Sequence, residues 1–108
     1  MPMMPAPLSL GIAALAAMLA TAPADAAEYA IAITRMKFAA APPSLHVGDV
    51  IVWRNDDIFR HTATARDARF DVDLPPKSEK RMTIEKAGPV DFYCRFHPTM
   101  TGRLDVRP

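Results

Sequence analysis

The chain is poor in the residues that would staple it covalently. Its one cysteine, Cys94, allows no internal disulfide. Histidine is equally scarce: His46, His61 and His97 are the whole supply, which excludes any centre needing more than three imidazoles. Neither sign of charge dominates, since 13 basic and 12 acidic residues leave a net charge of +1. That balance argues against nucleic acid or an anionic membrane surface as the partner. Long apolar runs are lacking too: the longest, Leu8 to Ala20, is too short to span a bilayer comfortably, with an uncleaved anchor as the competing reading. There is no internal repeat and no low-complexity tract. Pro42-Pro43 and Pro75-Pro76 punctuate loops and have no recurring P-x-x-P pattern around them.

What is present begins with an export leader. Leu8 to Ala20 has the length of a signal core, and Ala24-Asp25-Ala26 puts small residues at the two positions a signal peptidase reads. Cleavage is expected after Ala26, giving a signal peptide at 1–26 and one domain at 27–108. One feature is out of pattern: Met1 to Leu10 contains no Lys or Arg. The leader holds one acid, Asp25, and no base, so its removal moves the net charge from +1 to +2. The expected location is the periplasm, with no stable membrane insertion after cleavage. A free thiol there is a liability unless something occupies it. A domain this small also buries a thin core, and a metal joining distant segments would add stability.

After residue 26 the chain reads as short strands between turns. Tyr29, Ile31 and Ile33 alternate with small or polar residues, the period of a half-buried strand. Leu45 to Trp53 reads as one strand interrupted at Gly48-Asp49, with Leu45, Val47, Ile51 and Trp53 on one face and Val50 and Val52 on the other. Its end is therefore expected to be buried on both sides. Asn55-Asp56-Asp57 is turn chemistry, and His61 to Ala65 suits a short strand. Phe70, Val72 and Leu74 alternate, as do Lys80, Met82 and Ile84, then Val90, Phe92 and Cys94, then Leu104 and Val106. No segment has a convincing helical period. Many short strands with Gly, Pro and Asx turns predict an all-β sandwich or barrel.

The chemistry concentrates in Cys94-Arg95-Phe96-His97-Pro98-Thr99-Met100, which sets a thiol, an imidazole and a thioether at i, i+3 and i+6. That donor set suits copper in both oxidation states. A blue-copper centre needs one more histidine, with the methionine as a weak axial donor. On period two, His46 points away from Leu45 and Val47, which marks it as a surface or structural residue. His61 opens a strand just after a loop, while Cys94 ends one, so both sit at ends of the sandwich. They meet if their strands are antiparallel neighbours or pack across it, and His61 is the choice.

These residues carry a family resemblance. Gly48-Asp49-Val50-Ile51-Val52-Trp53-Arg54-Asn55-Asp56-Asp57, then His61, then Phe92-Tyr93-Cys94-Arg95-Phe96-His97-Pro98-Thr99-Met100-Thr101-Gly102 resemble the type 1 copper cupredoxins of the plastocyanin and amicyanin branch. The short Cys-x-x-His-x-x-Met loop is most similar to that of amicyanin. The resemblance implies a compact Greek-key β-sandwich or barrel and one copper ion held by His61, Cys94 and His97 in a plane with Met100 axial. It implies a one-electron carrier, not an enzyme, acting as a monomer between redox proteins such as a c-type cytochrome or a periplasmic dehydrogenase. It also implies an apolar docking patch over His97, for which Ile58, Phe59, Phe96 and Pro98 are the candidates, with Arg60, Arg66, Arg69 and Arg95 around it. One departure stands out: the family usually has Asn after the first ligand, and here it is Thr62.

Other classes fare less well. A copper carrier or resistance protein, delivering the ion in place of electrons, is the alternative, but Met1, Met3, Met4 and Met18 leave with the leader. Met36 and Met82 lack ligand spacing. A multicopper oxidase or nitrite reductase needs more ligands than His46 can add. A structural zinc module would hold more Cys or His.

Overall fold

A computed structural model describes residues 2–5 and 26–108. The leader's apolar run and its Ala24-Asp25 positions lie outside the described residues. Among those described, no helix is long and apolar enough to cross a membrane.

Among the described residues nine strands follow in order: β1 (Glu28–Thr34), β2 (Lys37–Phe38), β3 (Leu45–His46), β4 (Val50–Asn55), β5 (His61–Ala65), β6 (Asp71–Leu74), β7 (Glu79–Thr83), β8 (Gly88–Tyr93) and β9 (Thr101–Arg107). They form a two-sheet sandwich, as the turn-punctuated sequence predicts. One sheet runs β2-β1-β4-β7 and the other β3-β9-β8-β5-β6. The pairs β1–β4 and β3–β9 are parallel and the rest antiparallel.

The alternating apolar positions meet between the sheets. Ile31, Ile33, Leu45, Ile51, Trp53, Phe92 and Leu104 are all buried there. Val90, Phe92 and Cys94 share the inward face, as do Leu104 and Val106. Phe38 meets Phe92 edge-on at 4.8 Å, and Trp53 meets Phe92 at 5.1 Å, geometries that add to plain area burial. Gly102 pairs with Phe92 across β8 and β9. A Cβ there would sit 2.2 Å from the Phe92 ring, so the aromatic stack needs glycine at that position.

Two expectations change. The segment Leu45 to Trp53 is not one strand. Gly48, at φ 96°, turns the chain, so β3 joins one sheet and β4 the other. Val47 consequently leaves the inward face and is 42 % exposed. The end of β4 does behave as expected: Ile51, Val52 and Trp53 are all buried.

The connection that places the site is antiparallel. Thr64 pairs with Tyr93 and Ala65 with Phe92, so β5 lies beside β8. The first residue of β5 and the residue just past β8 therefore come together at one pole of the sandwich.

Candidate metal centre

His61 is fully buried at the start of β5, and Cys94 is fully buried one residue past β8. His97 is half-buried on the loop to β9, and Met100, at its end, is 5 % exposed. The Cys94 Sγ lies 3.7 Å from Nδ1 of His61 and 3.7 Å from Nδ1 of His97. The three donor atoms all lie within 4.8 Å of one another. His46, by contrast, is on the exposed side of β3 and outside this cluster.

The spacing fits a metal. Bonds of about 2.0–2.3 Å at trigonal angles set sulfur and nitrogen about 3.7 Å apart. The donors are soft and borderline, as copper prefers.

The loop that carries three of the four candidates is closed on itself. The Cys94 amide donates to the Met100 carbonyl at 3.0 Å, and the Met100 amide donates to the His97 carbonyl at 2.8 Å. A second set of bonds ties the loop to β5. The Thr62 amide points at Cys94 Sγ at 3.4 Å, and the Arg95 amide donates to Thr62 Oγ1 at 2.9 Å. The Thr62 hydroxyl lies 2.9 Å from that of Thr64, which donates to Asp71 Oδ1 at 2.8 Å. With Thr64 committed to Asp71, the Thr62 hydroxyl donates to Thr64 and is left as acceptor for Arg95. Thr62 thus ties the loop to β5 through its hydroxyl, at the position where the resemblance leads one to expect an asparagine amide.

His61 is held from behind. Its Nε2 lies 2.8 Å from Asp57 Oδ2, so a proton on Nε2 leaves Nδ1 as the lone-pair nitrogen facing Cys94. The same carboxylate accepts the amides of Arg35 at 2.8 Å and Met36 at 3.0 Å. Both residues have positive φ, 50° and 62°, the turn geometry a two-residue hairpin requires. Burial pushes the Asp57 carboxyl up, but the Met36 amide, the His61 imidazole and the Arg35 amide outweigh it and hold it below the ordinary range.

Asn55, 1 % exposed, shapes the approach to His61. Its side-chain NH2 reaches the carbonyls of Phe59, Leu74 and Pro75, and its Oδ1 accepts the Asp57 amide at 2.9 Å. In the sequence alone, Asn55 and Asp57 look only like turn residues. An acid four residues before a candidate metal-binding histidine was the available signal, because such histidines usually donate their second nitrogen to a carboxylate or carbonyl.

Around His97 the surface is apolar. Ile58, Phe59 and Phe96 are 72 %, 53 % and 50 % exposed, and Pro98 is exposed beside them. The Phe59 ring meets the His97 ring at 6.5 Å. The expected ring of four arginines is corrected. Arg60 and Arg95 bracket Phe96 at 5.9 and 5.7 Å, but Arg66 and Arg69 follow the far end of β5, away from His61. Arg60 is paired with Asp73 and Arg95 with Asp71, so the local charge is largely compensated.

Comparison with known proteins places this geometry. A family model described as a cupredoxin-like domain matches residues 8–106. Amicyanin of Paracoccus versutus is 26 % identical over 93 residues, which cover 81 % of this chain and 69 % of the relative. Amicyanin of Paracoccus denitrificans is 29 % identical over 93 residues, covering 79 % and 71 %. The solved reduced Cu(I) form of a proline-to-glycine variant of amicyanin superimposes with a TM-score of 0.59 at 27 % identity, covering 74 % of this chain and 82 % of that one.

Proposed function

The chain belongs to the cupredoxin-like family, and on that premise we propose that it is an exported type 1 copper protein that carries single electrons between redox partners. The observation that carries this reading is the triad: the buried thiol sulfur of Cys94 lies 3.7 Å from two imidazole Nδ1 atoms. His61, Cys94 and His97 hold the copper, and Met100 supplies the weak fourth donor. Bound copper supplies a one-electron couple. With four protein donors there is no position set aside for a substrate, unlike a catalytic metal site.

The protein residues do the rest. Asp57 fixes the His61 tautomer, and the closed loop with Thr62 fixes Cys94. His97 reaches the surface through Phe59, Phe96 and Pro98, which form the docking patch for a c-type cytochrome or a periplasmic dehydrogenase. Redox complexes of this kind bury small, transient interfaces, and the monomer suffices. The leader directs export to the periplasm and is removed after Ala26.

The test is direct. The exported protein, loaded with Cu(II), should show an intense thiolate-to-copper visible band and should cycle reversibly between oxidation states. A colourless protein that retains stoichiometric zinc from its source, or a partner that strips the metal without changing its oxidation state, would overturn the reading.

A further inference from the structure

Asp49 is the one buried acid among the described residues, 2 % exposed, and the copper chemistry does not use it. It lies at the start of β4, at the opposite pole from His61. Its Oδ2 accepts the His46 amide at 2.9 Å and its Oδ1 accepts the Ala27 amide at 3.0 Å. Its own carbonyl accepts the Ile84 amide at 2.8 Å, so one residue ties together the starts of β1 and β4, β3, and the end of β7. Among the described residues no Lys or Arg pairs with this carboxylate. The nearest basic group is His46 Nδ1 at 4.0 Å, on a side chain 49 % exposed. A buried carboxylate without a full counter-charge is costly.

Among residues 26–108 the hydrogen-bonded ladder begins at the residue that faces it. The Ala27 carbonyl accepts the Val50 amide at 2.9 Å, while Ala26 is exposed. We propose that the Ala26–Ala27 bond is the processing site and that the α-amino group freed on Ala27 is the counter-ion of Asp49. The proposal rests on the reading that a signal peptidase removes the leader. Hydrolysis leaves a carboxylate on Ala26, which departs with the leader, and puts an ammonium on Ala27. One of its hydrogens keeps the direction of the former amide, toward Asp49 Oδ1. The other two face the exposed side that Ala26 occupied. A hydrogen bond from a neutral amide to the carboxylate becomes one between opposite charges.

The pH signature follows from the sign. An amine that gains an anionic partner titrates above the ordinary α-amine, about pH 8. Its contribution is fully present below that value and is lost as pH rises through the raised one. Other charged groups on the elements meeting here are His46, Arg107 opposite it on β9, Glu28 paired with Arg81, and Glu85 and Lys86 beyond Ile84.

The exported, copper-loaded protein is purified and its mass and amino-terminal sequence are read. Its unfolding equilibrium and the titration of its terminal amine are followed from about pH 6 to about pH 10, spanning the ordinary amine range. A form that retains Ala26 and an Asp49→Asn variant are compared, each also carrying His46→Gln to remove the neighbouring imidazole. The mature chain is expected to begin at Ala27. Its amine should titrate above that of the Ala26-retaining form, and its folding constant should fall about tenfold more across the alkaline range. If Asp49→Asn does not fold, the Ala26-retaining form still decides, because Asp49 is intact there. A mature terminus elsewhere overturns the processing reading and this proposal together. A terminus at Ala27 with an ordinary amine overturns the ion pair alone. The visible band, at the other pole, should be the same in every form that folds.

Discussion

Replacing Asp57 separates two tasks that one carboxylate performs. Its Oδ2 lies 2.8 Å from His61 Nε2 and also accepts the Met36 amide, while Oδ1 accepts the Arg35 amide. Asn can keep an oxygen on the imidazole while deleting the charge; Ala deletes both. An ionised partner makes the imidazole a stronger donor, and a stronger donor favours Cu(II). Loss of such a partner costs roughly 10–100-fold in metal affinity. Where the loss falls on Cu(II), each factor of ten raises a one-electron potential by about 59 mV. Asp57→Asn is therefore expected to raise the potential by about 60 mV, and Asp57→Ala by up to about 120 mV. The visible band should persist, because Cys94 is untouched. Asp57→Ala also strips the acceptors from two residues held at positive φ, which should cost the metal-free protein about 2–3 kcal/mol of stability. Redox titration measures the first effect and denaturant unfolding the second. A potential that stays put or falls in both variants, with the band intact, would refute the reasoning.

Four shorter expectations accompany it. His61→Ala should lose the native copper spectrum while His46→Ala keeps it; the reverse would exchange the two histidines' roles. Met100→Gln should keep copper and lower the potential, because an amide oxygen is a harder donor that favours Cu(II); complete loss of copper would make Met100 a principal ligand. Phe96→Glu should slow electron exchange with a partner without altering the spectrum, and the exchange should depend only weakly on ionic strength, since Arg60 and Arg95 already face Asp73 and Asp71. The Asp49 carboxyl is held below its ordinary range by the Ala27 amide, against the opposing pull of burial, with the His46 amide adding to it. Its share of stability should thus be complete above about pH 4 and lost as pH falls through the lower native value. Asp49→Asn should flatten that part of the acid limb of an unfolding profile.

The sandwich was legible because strand period is a local signal. Ile31 and Ile33, Phe92 and Cys94, and Leu104 and Val106 each declare an inward face by alternation alone, and each is buried. The split at Gly48 was not, because a two-residue strand is too short to show a period and its partner, β9, lies some sixty residues away. The triad was partly legible. Cys94 and His97 stand three residues apart, but His61 joins them only through the antiparallel pairing of β5 with β8, which no spacing encodes. Asp57 and Asn55 were harder still. Both look like turn formers, and nothing local separates an Asx residue that bends a loop from one that anchors a buried imidazole.

The departure at Thr62 shows how a site can keep its rigidity while changing its residues. An electron carrier needs donors that stay in place when the metal's charge changes. What must be supplied near Cys94 is an N–H toward the sulfur and an acceptor for the next amide. Here the backbone of Thr62 supplies the first and its hydroxyl the second. A lone hydroxyl would be a mobile acceptor, since it rotates freely. This one is committed: it donates a hydrogen bond to Thr64, whose hydroxyl donates in turn to Asp71. The Arg95 side chain returns to Asp71 as well, at 3.2 Å, so the chain of bonds runs from the Arg95 amide back to the Arg95 guanidinium. Bonds aligned in this way polarise one another. The order of the loop therefore rests on an edge strand, β6, that contributes none of the proposed copper ligands.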